Sequence, residues 1–180
     1  MKSTARIFHL IAGPGAVVLA CLLVSSELLC GAEMRRSAEL SAKERVISLA
    51  GTWRFALDPN EVGTEQSWFA RRLDDTVQLP GTTDENHKGL KIDERRDDRL
   101  SRVWYWKGPA WYQREVTVPD SWAGKRITLL LERTKNTRVW VDATFCGWED
   151  TLSAPQVFEV TKAMTPGRHT ITVVVDNAKL

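Results

Sequence analysis

Apolar and polar residues alternate in short runs along most of the chain after residue 45. The first clear run covers residues 51–57, where Trp53, Phe55 and Leu57 alternate with other residue types. Because successive side chains of a strand point to opposite faces, this alternation predicts a half-buried β-strand. Comparable runs predict further strands at residues 77–79, 127–132, 139–141, 157–160 and 171–175. The run 139–141 is apolar on both faces, because Val139 and Val141 flank Trp140.

Residues 111–118 predict a strand with two different faces. One face carries Tyr112, Arg114, Val116 and Val118, and the other carries Trp111, Gln113, Glu115 and Thr117. Val116 and Val118 are the expected core anchors, since they are the aliphatic pair on one face. Pro119 has no N–H to donate to a sheet, so we expect the strand to end there.

Turn-forming residues separate the predicted strands at intervals of about 8–12 residues. Such turns occur at residues 58–60, 120–124, 135–137 and 165–167. Many short strands spaced in this way predict an all-β fold, an antiparallel jelly-roll or β-sandwich, over residues 46–180. Residues 68–73 predict a short helical turn that packs Trp68 and Phe69. Residues 82–102 mix acidic and basic side chains and predict a long solvated loop.

The first 32 residues have the order of a secretory signal peptide. Lys2 and Arg6 precede an apolar run over residues 7–24, which predicts a hydrophobic signal helix. Small residues at 30–32 predict cleavage before Glu33, and residues 33–45 predict a charged, mobile lead-in to the sandwich. We therefore expect a secreted or periplasmic protein with no other membrane contact. The alternative is a membrane anchor formed by residues 7–24.

Charge and composition exclude several functions. The formal net charge is +2 and falls to +1 if cleavage removes Lys2, Arg6 and Glu27, so we expect no nucleic-acid partner. Cys146 is the one cysteine outside the predicted signal peptide, so an internal disulfide is not expected. The histidines lack the spacing of a zinc site, and we predict no metal and no cofactor.

Aromatic residues provide the main candidates for ligand contact. The chain contains eight tryptophans, and Trp104, Trp106 and Trp111 lie close to Gly108 in sequence. Aromatic rings can pack on the C–H faces of sugars while polar neighbours orient the hydroxyl groups. Trp148, which precedes two acidic residues, is a second candidate. The alternative is that these rings fill the core of the sandwich.

Six segments occur in the order found in one known family. They cover residues 49–55 (pattern L-x-G-x-W-x-F), 77–81 (V-x-L-P-G), 108–119, 122–126 (W-x-G-K-R), 139–142 and 166–177. Together they resemble the N-terminal sugar-binding domain of glycoside hydrolase family 2, which contains β-galactosidases and β-glucuronidases. The resemblance implies a galactose-binding-like jelly roll that contacts a β-galactoside-like carbohydrate, with Asp176 and Asn177 near the sugar. The family's frequent Gly-x-His-x-Gly-Gly segment is replaced at residues 145–150, so its histidine has no counterpart here.

The resemblance also has a consequence for catalysis. In the family, an immunoglobulin-like domain and a (β/α)₈ barrel follow, and the barrel holds the two catalytic glutamates. A barrel needs about 200 residues or more, and the sequence ends at Leu180. We therefore expect no catalytic residue in this chain and no activity of the chain alone, which predicts a gene fragment or a detached module.

Two further hypotheses remain open from the sequence. The chain could be a freestanding carbohydrate-binding module, or a β-sandwich used for protein–protein contacts. In either case, a sheet that lacks its last strand or two would expose unpaired backbone groups, so we expect self-association through the incomplete sheet.

Overall fold

The computed structural model describes residues 8–13, 45–92 and 102–178, which form an all-β fold. In these ranges the chain forms twelve strands: β1 Phe8–Gly13, β2 Val46–Ser48, β3 Gly51–Leu57, β4 Asp75–Leu79, β5 Leu90–Lys91, β6 Trp104–Tyr105, β7 Pro109–Val118, β8 Arg126–Leu131, β9 Asn136–Val141, β10 Thr144–Glu149, β11 Gln156–Glu159 and β12 Gly167–Asp176. Two short 3₁₀ helices cover Trp68–Ala70 and Asp120–Trp122.

The strands form two larger sheets and one small ribbon. A six-stranded sheet has the order β10-β9-β12-β7-β3-β4, and a four-stranded sheet has the order β11-β8-β1-β2. Strands β5 and β6 pair separately. Every neighbouring pair is antiparallel, and the longest ladder joins β7 to β12 over ten residue pairs, from Pro109–Asp176 to Val118–Gly167. The predicted antiparallel sandwich is confirmed.

The main core lies between the two larger sheets. It contains Val116 and Val118 from β7, as the alternation predicts, and Leu129 and Phe158 from the four-stranded sheet. The largest of its fully buried side chains include Trp53 and Trp122. Apolar side chains from the facing sides of both sheets therefore hold the sandwich together, because burying such surface is the main favourable term in folding.

A second, smaller core covers part of the opposite face of the six-stranded sheet. Trp68 and Leu73 from the segment that links β3 to β4 pack there on Trp111, Trp140 and Val174. Strand β9 therefore has apolar side chains on both faces, as the sequence predicts. We call the side of the sheet that faces the main core its inner face and the other side its outer face.

The carboxylate of Asp58 fixes the start of the segment that covers the outer face. It is 1% exposed and accepts hydrogen bonds from the backbone N–H groups of Val62 (2.9 Å) and Gly63 (2.7 Å). The indole N–H of Trp111 donates a third, at 3.2 Å. A Cβ atom at position 63 would lie 2.5 Å from the indole nitrogen of Trp111, so only glycine fits beneath this ring.

The apolar N-terminal segment differs from its prediction. Phe8–Gly13 is a strand, β1, and pairs with β8 over six residues and with β2 over three. The Leu10 side chain is fully buried in the main core. A short apolar run is compatible with either a buried strand or a helix, and pairing with β8 favours the strand here. The predicted signal helix is therefore not seen in these residues, and the rest of segments 1–32 and 33–44 lies outside the described residues.

Among the described residues, none of the helices has the length and apolar character needed to cross a membrane.

Candidate carbohydrate-binding surfaces

Trp106 and Asn177 meet at one end of the six-stranded sheet, where β12 ends and β7 begins. The Asn177 side-chain oxygen accepts a hydrogen bond from the Gly108 N–H at 2.8 Å, and its amide nitrogen donates to the Trp106 carbonyl at 3.0 Å. The Trp106 indole donates to the Gly108 carbonyl at 3.0 Å. We call Trp106, Gly108, Asp176 and Asn177 the Trp106 corner. Both Trp106 and Asn177 are half-buried, so each keeps some exposed surface.

Asp176, the acidic residue of the Trp106 corner, makes a structural hydrogen bond. Asp176 is 5% exposed, and its carboxylate accepts a hydrogen bond from the backbone N–H of Ala178 at 2.9 Å. This bond satisfies a donor at the point where the chain leaves β12. Asp176 therefore supports the position of Asn177, while little of its own surface is open to a ligand.

Trp104 lies two residues before Trp106, on the separate β5–β6 ribbon. Its backbone N–H donates to the Asp84 carboxylate at 2.7 Å, and its ring lies 5.8 Å from that of His87. The side chain is half-buried. Part of the loop predicted over residues 82–102 is therefore a strand, because Leu90 and Lys91 pair with Tyr105 and Trp104.

Trp111 belongs to the second core and has no ring face open to a ligand. It is 1% exposed, and its ring packs between those of Trp68 (5.9 Å between centroids) and Trp140 (5.4 Å). The prediction that Trp111 contributes to a stacking platform is therefore wrong. The alternation alone assigned it to the outer face, but the linking segment buries that part of the face.

Trp148 is the most open of the eight tryptophans, all of which lie in the described part of the chain. It is 59% exposed and sits on β10, an edge strand, opposite Arg138. Phe145 on the same strand is 52% exposed and packs against Trp140 at 5.3 Å between centroids. Strand β9 separates Trp148 from β12, so it forms a second aromatic surface apart from the Trp106 corner.

A groove of about 800 Å³ lies beside the second core, lined mainly by residues of the outer face of the six-stranded sheet. Arg114 belongs to the inner face of β7, but its guanidinium contacts the Thr52 carbonyl and also borders the groove. The lining of this groove includes five arginines, which are Arg54, Arg71, Arg72, Arg114 and Arg168. We call it the arginine groove. Sequence reasoning missed it because these residues come from β3, β7, β12 and the segment before β4, and no local pattern connects them. Its acidic lining residues are Glu115 and Asp142.

Both carboxylates of the arginine groove already have partners. Glu115 pairs with Arg168, and this hydrogen bond, with weaker contributions from the charges of Arg54 and Arg72, lowers the pKa of Glu115. Burial works against the charge of Asp142, but hydrogen bonds from the His169 ring and the Thr170 N–H, both 2.8 Å, outweigh it and lower the Asp142 pKa. The two acids are therefore ionised near neutral pH.

The described residues contain no cluster of three or more His, Cys, Asp or Glu side chains that could hold a metal ion. Cys146 is half-buried, and burial raises the pKa of its thiol. A raised pKa leaves little thiolate at neutral pH, so this side chain does not have the environment of a reactive nucleophile.

The described residues form a β-sandwich whose surface carries exposed aromatic, amide and arginine side chains. The chain belongs to glycoside hydrolase family 2: residues 46–179 match the model described as "Glycosyl hydrolases family 2, sugar binding domain". The resemblance seen in the sequence is thus confirmed over nearly all of the predicted sandwich.

Individual relatives agree with this assignment. A "Beta-glucuronidase" of Paenibacillus borealis is 29% identical over 131 residues, which are 72% of this chain and 20% of that protein. Among solved structures, a β-glucuronidase from Ruminococcus gnavus in complex with uronic deoxynojirimycin has a TM-score of 0.57 and 20% identity, over 72% of this chain and 21% of that one. A second structure of Ruminococcus gnavus β-glucuronidase has a TM-score of 0.56 and 23% identity, over 72% of this chain and 20% of that one. The chain spans about a fifth of the length of these relatives.

Proposed function

We propose that this chain is the sugar-binding domain of a secreted family 2 glycosidase and that it is inactive alone. The observation that carries the proposal is the family match over residues 46–179, which spans the sandwich from β2 to the end of β12. In this proposal the domain shapes one wall of an active site whose catalytic carboxylates lie in another domain. The Trp106 corner is the surface that meets the sugar, with the exposed part of the Trp106 ring against its C–H face.

We further propose that the sugar is a β-glucuronide rather than the β-galactoside that the sequence favoured. The support is that the relatives named above are β-glucuronidases. A glucuronide differs from a galactoside by the carboxylate at C6 and by the configuration at C4, so the two sugars can be told apart by comparing their binding.

The test uses the whole chain and two ligands, methyl β-glucuronide and methyl β-galactoside, in an NMR titration. We expect saturable shifts around Trp106 and Asn177 with the glucuronide and none with the galactoside. The Trp106→Ala variant should lose this binding, while Trp148→Ala should keep it. A flat titration with both sugars would contradict sugar binding, and measurable hydrolysis of a 4-nitrophenyl β-glucuronide would contradict the proposed inactivity.

A freestanding carbohydrate-binding module is the second candidate, and the exposed pair of Phe145 and Trp148 favours it. Two open rings on an edge strand can stack on an extended glycan without help from another domain. This candidate predicts that Trp148→Ala, and not Trp106→Ala, abolishes oligosaccharide binding.

We also propose that residues 1–32 act as a signal peptide and direct the chain out of the cytoplasm. The intact mass of the exported protein tests this, and we expect a chain that begins at Glu33. A mass that includes Phe8–Gly13 would contradict cleavage and favour a retained strand or anchor.

Cleavage at Glu33 would have a structural consequence, which is the basis for proposed self-association. Strand β1 lies between β8 and β2, so its removal would leave the backbone groups of β8 unpaired on that side and the site of Leu10 empty. Unpaired edges promote pairing with other chains. We expect a chain beginning at Glu33 to dimerise or precipitate, while a chain that lacks only residues 1–7 stays monomeric in light scattering.

A further inference from the structure

We propose that the arginine groove is a second binding site, which takes an acidic glycan by pairing its arginines with the carboxylates of uronic acid residues. This second site rests on the proposed function, which identifies the ligand as a carbohydrate. The site is distinct from the Trp106 corner, and no property of that corner is needed for it.

The arginine groove has an excess of positive charge. Five arginines line the groove against two carboxylates, and both carboxylates are already engaged. Of the five, Arg168 is the one that forms an ion pair within the described ranges. Four guanidinium groups around one concave surface produce a positive potential that attracts an anion.

The arginines of the groove keep hydrogen-bond donors available. Each guanidinium has five N–H donors. Arg54 uses one on the Leu73 carbonyl at 2.9 Å, and Arg114 makes a longer contact with the Thr52 carbonyl at 3.4 Å. The Arg71 guanidinium lies 4.5 Å above the Trp68 ring, a contact that leaves the N–H edge free. These contacts orient the side chains and leave most of their donors for a ligand.

A buried side chain fixes one wall of the arginine groove. Gln113 lines the groove and is 3% exposed. Its oxygen accepts from the Leu73 N–H at 3.0 Å, and its amide nitrogen donates to the carbonyls of Arg71 (2.7 Å) and Trp68 (3.2 Å). Gln113 thus holds the backbone that carries Arg71 and Arg72 against β7. A wall held in this way reduces the ordering cost of binding.

The lining of the arginine groove suits a sugar better than a small inorganic anion. Phe69 lines the groove and stacks on Trp140 with ring centroids 5.2 Å apart and planes 6° apart, so its position is fixed. Its half-buried ring offers an apolar surface for sugar C–H groups, and Thr52, Thr76 and Thr170 line the same groove. A volume of about 800 Å³ falls within the range of small-molecule sites.

The experiment is isothermal titration of the whole chain with an oligogalacturonate tetramer and with its methyl-esterified form. Both probes have the same rings, but the ester carries no negative charge. We expect saturable binding of the acid form, at least about tenfold weaker binding of the ester, and weaker binding of the acid form as salt is raised. Equal binding of the two forms, or no binding of the acid form, would overturn the proposal.

Matched variants assign the binding to the groove. Arg72→Gln should weaken binding of the acid form about tenfold, whereas Arg133→Gln, an exposed arginine outside the groove, should not change it. Glu115→Gln should strengthen binding roughly two- to fivefold, because it releases Arg168 from its ion pair. If Arg72→Gln and Arg133→Gln bind equally well, the groove is not the site.

The two proposals fail in different ways. Both sites are supported if Trp106→Ala no longer binds methyl β-glucuronide but still binds the tetramer, and if Arg72→Gln still binds methyl β-glucuronide but binds the tetramer more weakly. If no form of the chain binds the tetramer while the corner still binds its sugar, the groove is excluded and the proposed function survives. If Arg72 is needed for the tetramer and the corner binds nothing, the groove stands and the corner fails.

Discussion

The inner and outer faces of the six-stranded sheet differ in composition, although the same strands supply both. Along β7, the inner face ends in Val116 and Val118, which lie in the main core. The outer face changes along the strand from buried Trp111, through buried Gln113, to exposed Glu115. The inner face is thus uniformly part of the core at this end, while the outer face passes from a small aromatic core to a charged groove.

This difference indicates that the inner face of the sheet mainly stabilises the fold, while the outer face is available for ligand binding. The inner face gains its stability from buried apolar surface, so most changes there should cost folding free energy. On the outer face, hydrogen bonds and charges position a loop and line a groove, so changes should affect stability less and ligand binding more. Four substitutions test this division between the two faces.

The largest expected effect is on the inner face, at Trp53. This side chain is fully buried, and its indole N–H donates to the Leu49 carbonyl at 2.7 Å. Trp53→Ala removes the ring and leaves a cavity, so we expect the free energy of unfolding to fall by about 3–5 kcal/mol in urea denaturation. Trp148→Ala, at an exposed tryptophan, should change it by less than about 0.5 kcal/mol. Similar losses for the two variants would contradict the division.

A smaller loss is expected at Gln113, at the boundary between the two parts of the outer face. Gln113→Ala leaves the Leu73 N–H and the Arg71 carbonyl without their partner, which should cost about 1–3 kcal/mol of unfolding free energy. It should also increase hydrogen exchange at the backbone of residues 68–73. Thr117→Ala is the control, since Thr117 is exposed on the same face of β7. Unchanged exchange in Gln113→Ala would show that Gln113 does not hold this segment.

A still smaller and pH-dependent effect is expected at Asp142, beside the groove. Its folded pKa lies below the ordinary value of 3.8, so its contribution to stability is present above that value and is lost as the pH falls through the folded pKa. Asp142→Asn should therefore be less stable than the parent at pH 6, and the difference should shrink below about pH 4. Because the side chain is 53% exposed, we expect less than about 1 kcal/mol. Urea denaturation of both proteins between pH 2 and 6 measures this difference in unfolding free energy. A difference that does not change with pH would exclude the charge of the Asp142 carboxylate as its cause.

The smallest effect on stability is expected for Arg72→Gln. Arg72 is exposed and forms no ion pair among the residues that the structure describes. The free energy of unfolding of this variant, from its thermal melting curve, should match that of the parent to within about 0.5 kcal/mol. The same variant should nevertheless bind the acidic tetramer more weakly. Loss of both stability and binding would mean that Arg72 supports the fold rather than the ligand.

The sequence predicted strands well where the alternation was regular. The run 171–175 became part of β12, and the run 127–132 became β8 with its buried side chains at Ile127, Leu129 and Leu131. The short helical turn predicted near Trp68 is present as a 3₁₀ helix. Strand β10 was missed because its pairing shifts between Phe145 and Gly147, and such a bulge breaks the period of two.

The candidate site was only partly predictable. Sequence proximity and the family resemblance brought Trp106 and Asn177 together as candidates, and the two are joined by a hydrogen bond. Proximity failed for Trp111, which points away from Trp106 into the second core. The arginine groove gave no sequence signal, because Arg54, Arg71 and Arg168 become neighbours only when three separate segments meet.

The sequence by itself determined the class of fold, the inner face of β7 and the family. These depend on the alternation of neighbouring side chains and on short ordered motifs, which the local geometry of a strand makes visible in a single chain. The tertiary structure alone decided that Phe8–Gly13 forms a strand, that Trp111 is buried and that the arginines share one groove. Each of these depends on which distant segment packs on a given face, and long-range pairing leaves no local period in the sequence.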